Sequence, residues 1–244
     1  MDPLRETVEK AIGNQYEVLD LIGRGGMGAV YLARERFLER LVAVKVLPLD
    51  SATDPGGRER FLREARTAAK LSHPSIVPLY TFAEAEGTLL YVMGYISGES
   101  LAAQLSRDGR LQADRAARIL SEIADALSYA HSMGVVHRDI KPDNILIDAE
   151  TGRAYLTDFG IAKHGAQEPL TRTGMIVGTP LFMSPEQGTG DKVDGRSDLY
   201  SLGVIGYQML SGRLPFSGGN MQEVLMQHAT REPAGLEPTP AMPY

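Results

Sequence analysis

Two short stretches carry carboxylates, a lysine and an amide at spacings suited to phosphate chemistry: His137-Arg138-Asp139-Ile140-Lys141-Pro142-Asp143-Asn144 and Asp158-Phe159-Gly160. Between them, Ile145-Leu146-Ile147 and Tyr155-Leu156-Thr157 read as strands, with residues 148–152 as the turn that joins them. Asp139 and Asp158 then flank one hairpin, where both carboxylates can converge on a single metal and phosphate site.

A second phosphate signal lies upstream, in Gly23-Arg24-Gly25-Gly26-Met27-Gly28-Ala29-Val30. The glycine spacing alone is shared with dinucleotide-binding folds, but those glycines open a helix. Here residues 16–22 and 29–34 both read as strands, so the glycines form a hairpin tip that covers phosphates from above. Bare glycine backbone permits close approach and leaves amide N–H groups to bond phosphate oxygens. The Lys-Ser or Lys-Thr of a P-loop is absent at the required spacing.

Val42-Ala43-Val44-Lys45 is an apolar strand that ends in a cation. In the next helix Phe61, Glu64, Ala65, Ala68 and Leu71 recur at helical spacing, which sets Glu64 on the apolar face. A carboxylate there needs a cation, and Lys45 is the expected partner. Removing one member of such a buried pair costs ~3–5 kcal/mol. Glu59 is the rival, but it lies off that face.

These residues must be held by elements whose pattern changes near residues 94–100. Before that point lie five short strand-like runs and one helix; after it come mainly helices, over 101–105 and 113–132, the latter with Ile119, Ile123, Leu127 and Ala130 as its buried stripe. Two lobes are implied. The chain has 244 residues, enough to bury a sizeable core, and its net charge of −6 is spread over interspersed acids and bases. No polybasic run points to nucleic acid or a membrane surface. Without cysteine there is no thiol nucleophile, thiolate metal site or disulfide, and His131 and His137 read as structural. No apolar stretch is long enough to span a membrane, and residues 1–15 are too charged for a secretory signal. Residues 232–244 are Pro-rich and read as an extended tail.

In this order the motifs resemble the catalytic core of a protein Ser/Thr kinase. They are most similar to the bacterial eukaryotic-like (Hanks-type) family, to which Gly25-Gly26-Met27 and Ser184-Pro185-Glu186-Gln187 both point. The resemblance implies an α+β fold of two lobes: an antiparallel β-sheet N-lobe with one main helix, and a mainly helical C-lobe. Residues 1–15 would be an N-terminal extension, 16–94 the N-lobe, and 95–244 the hinge and C-lobe.

It also implies roles, residue by residue. Ile22, Gly23, Gly25, Gly26 and Gly28 would cover ATP, Lys45 with Glu64 would grip its α and β phosphates, and Val30, Ala43 and Leu146 would pack on the adenine. Met93 would be the gatekeeper, with the Gly94 carbonyl and the Ile96 backbone meeting the adenine edge. Gly94 stands where an acidic residue is common, which implies a looser hinge. Asn144 and Asp158 would hold Mg²⁺ or Mn²⁺, Lys141 would stabilise phosphate charge, and Asp139 would orient the acceptor hydroxyl. Lys141, two residues after Asp139, marks a Ser/Thr acceptor, and Thr179 would hydrogen-bond near both. Asp198 would brace the catalytic loop from the following helix. Arg138 and Lys163 would pair with phosphate on Thr171 or Thr173.

The expected reaction is transfer of the γ-phosphoryl group of ATP to protein serine or threonine, with autophosphorylation of the activation loop. The alternatives are a nucleotide-binding pseudokinase or scaffold, and a hydride-transfer enzyme using the glycine loop, which the hairpin context disfavours. Protein substrates, a cytoplasmic location and a homodimer are expected, with no nucleic acid and no membrane span. The resemblance also implies two helices beyond residues 221–228 and an arginine that pairs with Glu186; the chain supplies neither, so Glu186 is expected to lack that usual partner and apolar C-lobe surface to be exposed.

Overall fold

The computed structural model describes residues 3–25, 28–48, 66–85, 88–159 and 180–236. Gly26, Glu64, Lys163, Thr171, Thr173 and Thr179 lie outside them. The described residues fall into two compact units, one holding the chain up to Ser72 together with Val77–Ile96, the other His73–Ile76 and the chain from Ser97 onward.

The first unit is built on five strands: β1 (Tyr16–Gly25), β2 (Gly28–Glu35), β3 (Leu41–Pro48), β4 (Leu79–Ala85) and β5 (Thr88–Gly94). They pair antiparallel in the order β1-β2-β3-β5-β4. Successive strand side chains point to opposite faces. Tyr31, Val42, Val44, Val46 and Val92 therefore share one face and form its core. Residues 3–12, expected only as part of an extension, form a helix, α1 (Pro3–Ile12), whose Val8 and Ile12 complete that core. After β3, only the end of the expected helix is described; Ala68 and Leu71 from its apolar stripe are buried.

The second unit combines a small antiparallel sheet, β6 (Gly98–Ser100), β7 (Ile145–Asp148) and β8 (Ala154–Leu156), with helices. The helices are α2 (Leu101–Asp108), α3 (Ala113–Ser132), α4 (Pro185–Thr189), α5 (Gly195–Ser211) and α6 (Met221–Thr230). Ser100, Asp194 and Asn220 cap α2, α5 and α6, each side chain accepting a first-turn N–H that the helix itself leaves unbonded. The expected α3 stripe of Ile119, Ile123, Leu127 and Ala130 is fully buried, where α3 packs against α5 and β8. Thr157, expected at the end of a strand, lies just past β8, and its N–H donates to the Asn144 carbonyl at 3.0 Å.

His73–Ile76 joins this unit although it lies between two elements of the first. The Leu156 N–H donates to the Ser75 carbonyl at 2.8 Å, and His73 stacks on Tyr129 while bonding Asp125 at 3.1 Å. Among the described residues no helix is long and apolar enough to cross a membrane.

Ile123 is buried at the centre of the helical layer, so Ile123→Ala removes three carbons from a packed core. We expect a loss of ~2–5 kcal/mol in urea unfolding, with Ile123→Val losing ~0.5–1.5 kcal/mol.

Candidate active site

The hairpin of β7 and β8 sets the spacing of the site in the second unit. Ile145 pairs with Leu156 and the Thr157 N–H reaches Asn144, so the strand ends hold Asn144 beside the residue that precedes Asp158. Asp158 then adopts φ 60° and Arg138 φ 65°, left-handed values that non-glycine residues rarely take. With Glu39, these are the positive-φ non-glycine residues among those described. Such conformations cost ~1–3 kcal/mol each and persist where surrounding bonds over-determine them.

Those bonds are present around Arg138. Asp198, 1 % exposed near the start of α5, accepts three N–H groups: Arg138 N on Oδ1, and His137 N and His131 Nε2 on Oδ2, each at 2.8 Å. On the other side of the same residue, Gln187 Nε2 donates to the Arg138 carbonyl at 2.9 Å. Gln187 is itself fixed by a capping box with Ser184, whose N–H donates to Gln187 Oε1 at 3.1 Å. The loop before Asp139 is thus clamped from α5 and from α4.

His137 is fully buried, and its ring fixes the next turn. Nε2–H donates to the Thr157 carbonyl at 2.9 Å and Nδ1 accepts from Asp139 N at 3.3 Å, which requires the neutral ring. Phe159 packs against it with centroids 4.7 Å apart. Burial holds the imidazole below its ordinary pKa, outweighing the opposing pull of the Asp198 charge and the Thr157 carbonyl.

Asp139, Lys141 and Asn144 are brought together. Lys141 Nζ lies 3.1 Å from Asp139 Oδ2, and Asn144 Nδ2 donates to the Asp139 carbonyl at 2.7 Å and to Oδ2 at 3.1 Å. Because the amide nitrogen of Asn144 is committed to Asp139, its oxygen is the atom left to meet a ligand. Asn144 Oδ1 and the Asp158 carboxylate are hard oxygen donors, the chemistry a divalent cation shared with phosphates requires. Two such donors suit a cation that completes its shell with phosphate and water; among the described residues no group of three or more His, Cys, Asp and Glu could hold a metal. Leu146 sits on β7, half-buried, opposite Ser100 and Tyr155.

In the first unit, Val30 pairs with Lys45 and Ala43 with Met93 in the sheet register. These four occupy the face opposite the α1 core. Ile22 is exposed on β1, Gly23 pairs with Val30, and Gly25 pairs with Gly28 at the tip. Gly94 is buried, and its N–H donates to the Pro78 carbonyl at 2.9 Å. A Cβ there would lie 3.1 Å from Pro78 Cδ, a contact tight enough that Pro78 would have to give way. Ile96 is half-buried two residues on.

Glu186 accepts a hydrogen bond on Oε1 from the Ser197 hydroxyl, a neutral donor in place of a cation. Burial pushes this carboxyl up, but Ser197, its own backbone N–H and Ser184 outweigh that and hold it below the ordinary glutamate value. His131, Gln187, Gly195 and Ser197 are positioning residues that the sequence reading did not assign. Ser184-Pro185-Glu186-Gln187 has the capping-box spacing that marks Gln187. For His131 no local signal exists, because its partner is 67 residues away. Gly195 leaves it room: a Cβ there would lie 2.6 Å from His131 Nδ1.

The neutral state of His137 has a measurable consequence. Unfolded imidazoles protonate near pH ~6.5, whereas His137, and in the same direction His228, protonate only at lower pH when folded. Below about pH 6.5 the unfolded chain therefore binds more protons, and stability present above that value is lost as pH falls, by up to about 1.4 kcal/mol per unit per histidine. The urea midpoint should drop between about pH 7.5 and 5.5, before carboxylates titrate; an unchanged or higher midpoint would contradict this.

Comparison with known proteins agrees with this geometry. Residues 16–239 match the protein kinase domain family. The chain is 44 % identical over 237 residues to the Ser/Thr-protein kinase drp72 of Corynebacterium efficiens, covering 95 % of this chain and 45 % of that protein. It is 44 % identical over 232 residues to PknA of Mycobacterium tuberculosis, covering 93 % and 54 %, and 43 % identical over 236 residues to pkn3 of Myxococcus xanthus, covering 93 % and 43 %. The chain spans about half the length of the curated relatives it matches. It belongs to the protein kinase domain family, within its bacterial Ser/Thr (Hanks-type) branch, and has that family's two-lobed α+β fold.

Proposed function

We propose that this chain is an ATP-dependent protein Ser/Thr kinase domain that transfers the γ-phosphoryl group of ATP to serine and threonine hydroxyls of proteins. The observation that carries the reading is the cluster in which Lys141 and Asn144 both contact Oδ2 of Asp139. It presents a carboxylate, an ammonium and an amide oxygen on one rigid loop. Asp139 orients the acceptor hydroxyl and takes its proton as the oxygen attacks the γ-phosphorus, while the bond to the terminal oxygen of ADP breaks. Lys141, beside Asp139, balances charge on the transferring group, and Lys45 on β3 holds the α and β phosphates. Glu64, outside the described residues, would complete this by pairing with Lys45. Asn144 Oδ1 and Asp158 would hold Mg²⁺, with Mn²⁺ as a substitute; when bound, the cation neutralises charge on the phosphate oxygens. Ile22, Gly23, Gly25, Gly26 and Gly28 cover the phosphates, Val30, Ala43 and Leu146 flank the adenine behind Met93, and Gly94 and Ile96 meet its edge through backbone. Thr179 steadies Asp139 and Lys141.

Family membership and the Ser/Thr-kinase names of relatives over nearly the whole chain support this reading over a pseudokinase. The proposal includes protein partners, a cytoplasmic location and self-association; sedimentation of the purified chain reads the last directly.

Asp139→Asn should lower phosphoryl transfer to a generic protein acceptor by ~10²–10⁴-fold with nucleotide binding nearly unchanged. Lys45→Met and Asp158→Asn should remove most transfer while leaving the fold intact by circular dichroism. Near-parental turnover in Asp139→Asn sinks the assignment.

Control is proposed to lie in the loop after Asp158. Phosphate on Thr171 or Thr173 would form ~1–3 charge-assisted hydrogen bonds with Arg138 and Lys163 and order the segment. Mass spectrometry after incubation with Mg-ATP should find phosphate on one or both threonines, with activity rising as it accumulates. A Thr171→Ala, Thr173→Ala double variant that matches the parent in initial rate and lag would remove loop phosphorylation as the switch.

A further inference from the structure

The match to the kinase family begins at residue 16, so α1 lies wholly outside it, and the proposed chemistry uses none of its residues. Yet α1 is seated in the core of the first unit. Val8 is 0 % exposed, and with Ile12 it closes the core formed by Tyr31, Val44, Val46 and Val92. Arg5 Nη2 donates to the Val18 carbonyl of β1 at 2.9 Å, tying the helix to that edge strand. At its far end Arg36, just past β2, donates from Nε to the Gly13 carbonyl at 3.1 Å and from its backbone N–H to the Gln15 carbonyl at 2.9 Å.

What makes this seat consequential is the period of the strands beneath it. On β3, Val42, Val44 and Val46 point into the α1 core, so Ala43 and Lys45, one residue out of step, point to the other face. On β2, Ala29 and Tyr31 face α1 and Val30 faces away, in register with Lys45. The residues that hold α1 and those assigned to nucleotide therefore alternate along the same two strands, and a shift of either strand moves both sets. Close-packed interiors transmit such shifts instead of absorbing them.

We propose that α1 is a positioning element for the candidate nucleotide residues of the first unit: seated through Val8 and Arg5 on the face of the sheet opposite Ala43 and Lys45, it fixes β2 and β3 and thereby sets affinity for ATP. This rests on the reading of Val30, Ala43 and Lys45 as nucleotide contacts.

The test uses the full chain. Val8→Asp places a carboxylate in the apolar seam and undocks α1, Val8→Ala loosens it, and Val8→Ile retains the packing. Each variant is measured well below its own melting transition for Mg-ATP affinity by calorimetry and for KM and kcat. The expected result is a rise in Kd and KM for ATP of about 5-fold or more in Val8→Asp, a smaller rise in Val8→Ala, a lesser change in kcat at saturating ATP, and parental values in Val8→Ile. Parental Kd and KM in Val8→Asp, or in Val8→Ala where Val8→Asp does not fold, would show that α1 only adds stability and would overturn the proposal. Lys45→Met separates the two levels. If it transfers phosphate like the parent, the assignment of this sheet face to nucleotide fails and the role of α1 with it; if it loses transfer while the Val8 variants keep parental Kd and KM, the role of α1 alone fails.

Discussion

The carboxylate of Asp198 is the interaction on which the arrangement of the site depends. A charge almost entirely removed from water is tolerated only when its lone pairs are matched by donors. Here the donors are the backbone N–H groups of His137 and Arg138 and the ring of His131. Satisfying the buried charge therefore dictates the path of the loop that carries Asp139. The left-handed backbone of Arg138 follows from that demand, since the same carboxylate binds its N–H while Gln187 binds its carbonyl. Gly195 belongs to the same constraint, because a side chain there would displace His131.

The candidate residues of the two units are held differently. In the second unit polar groups are held by other polar groups: His137 bridges Asp139 N and the Thr157 carbonyl, and Asn144 spans the Asp139 backbone and side chain. Such networks specify one geometry because each unmet bond is expensive in a low-dielectric interior. In the first unit the candidate residues are held by sheet register and by apolar packing on the opposite face. Glu186 shows the same economy of polar groups, with Ser197 and Ser184 supplying the hydrogen bonds that hold its carboxyl ionised.

Much of this was legible from residue order alone. Local patterns carried the strands around the glycines, the β7–β8 hairpin and the α3 stripe, because alternation and helical period are properties of neighbours in sequence. Asp139, Lys141 and Asn144 lie within six positions of one another, so their contact is a matter of one loop. The spacing Leu4, Val8, Ala11 and Ile12 also carries a helical stripe, yet its weight was hidden by the charged residues between. That stripe becomes core only because a sheet of alternating valines lies under it.

Sequence by itself determined which candidate groups the chain offers and which elements bear them: the order of glycines, Lys45, Asp139, Asn144 and Asp158, and the hairpins and helices that fix their local spacing. Tertiary structure alone decided the supports. His131 meets Asp198 across 67 residues, Gln187 reaches Arg138 across 49, and the Ser197 hydroxyl finds Glu186 across 11. Gly94 lies where Pro78 approaches closely, which no local pattern announces. Those partners are chosen by which buried polar groups are left unmet once helices and strands pack, and that inventory exists only in three dimensions.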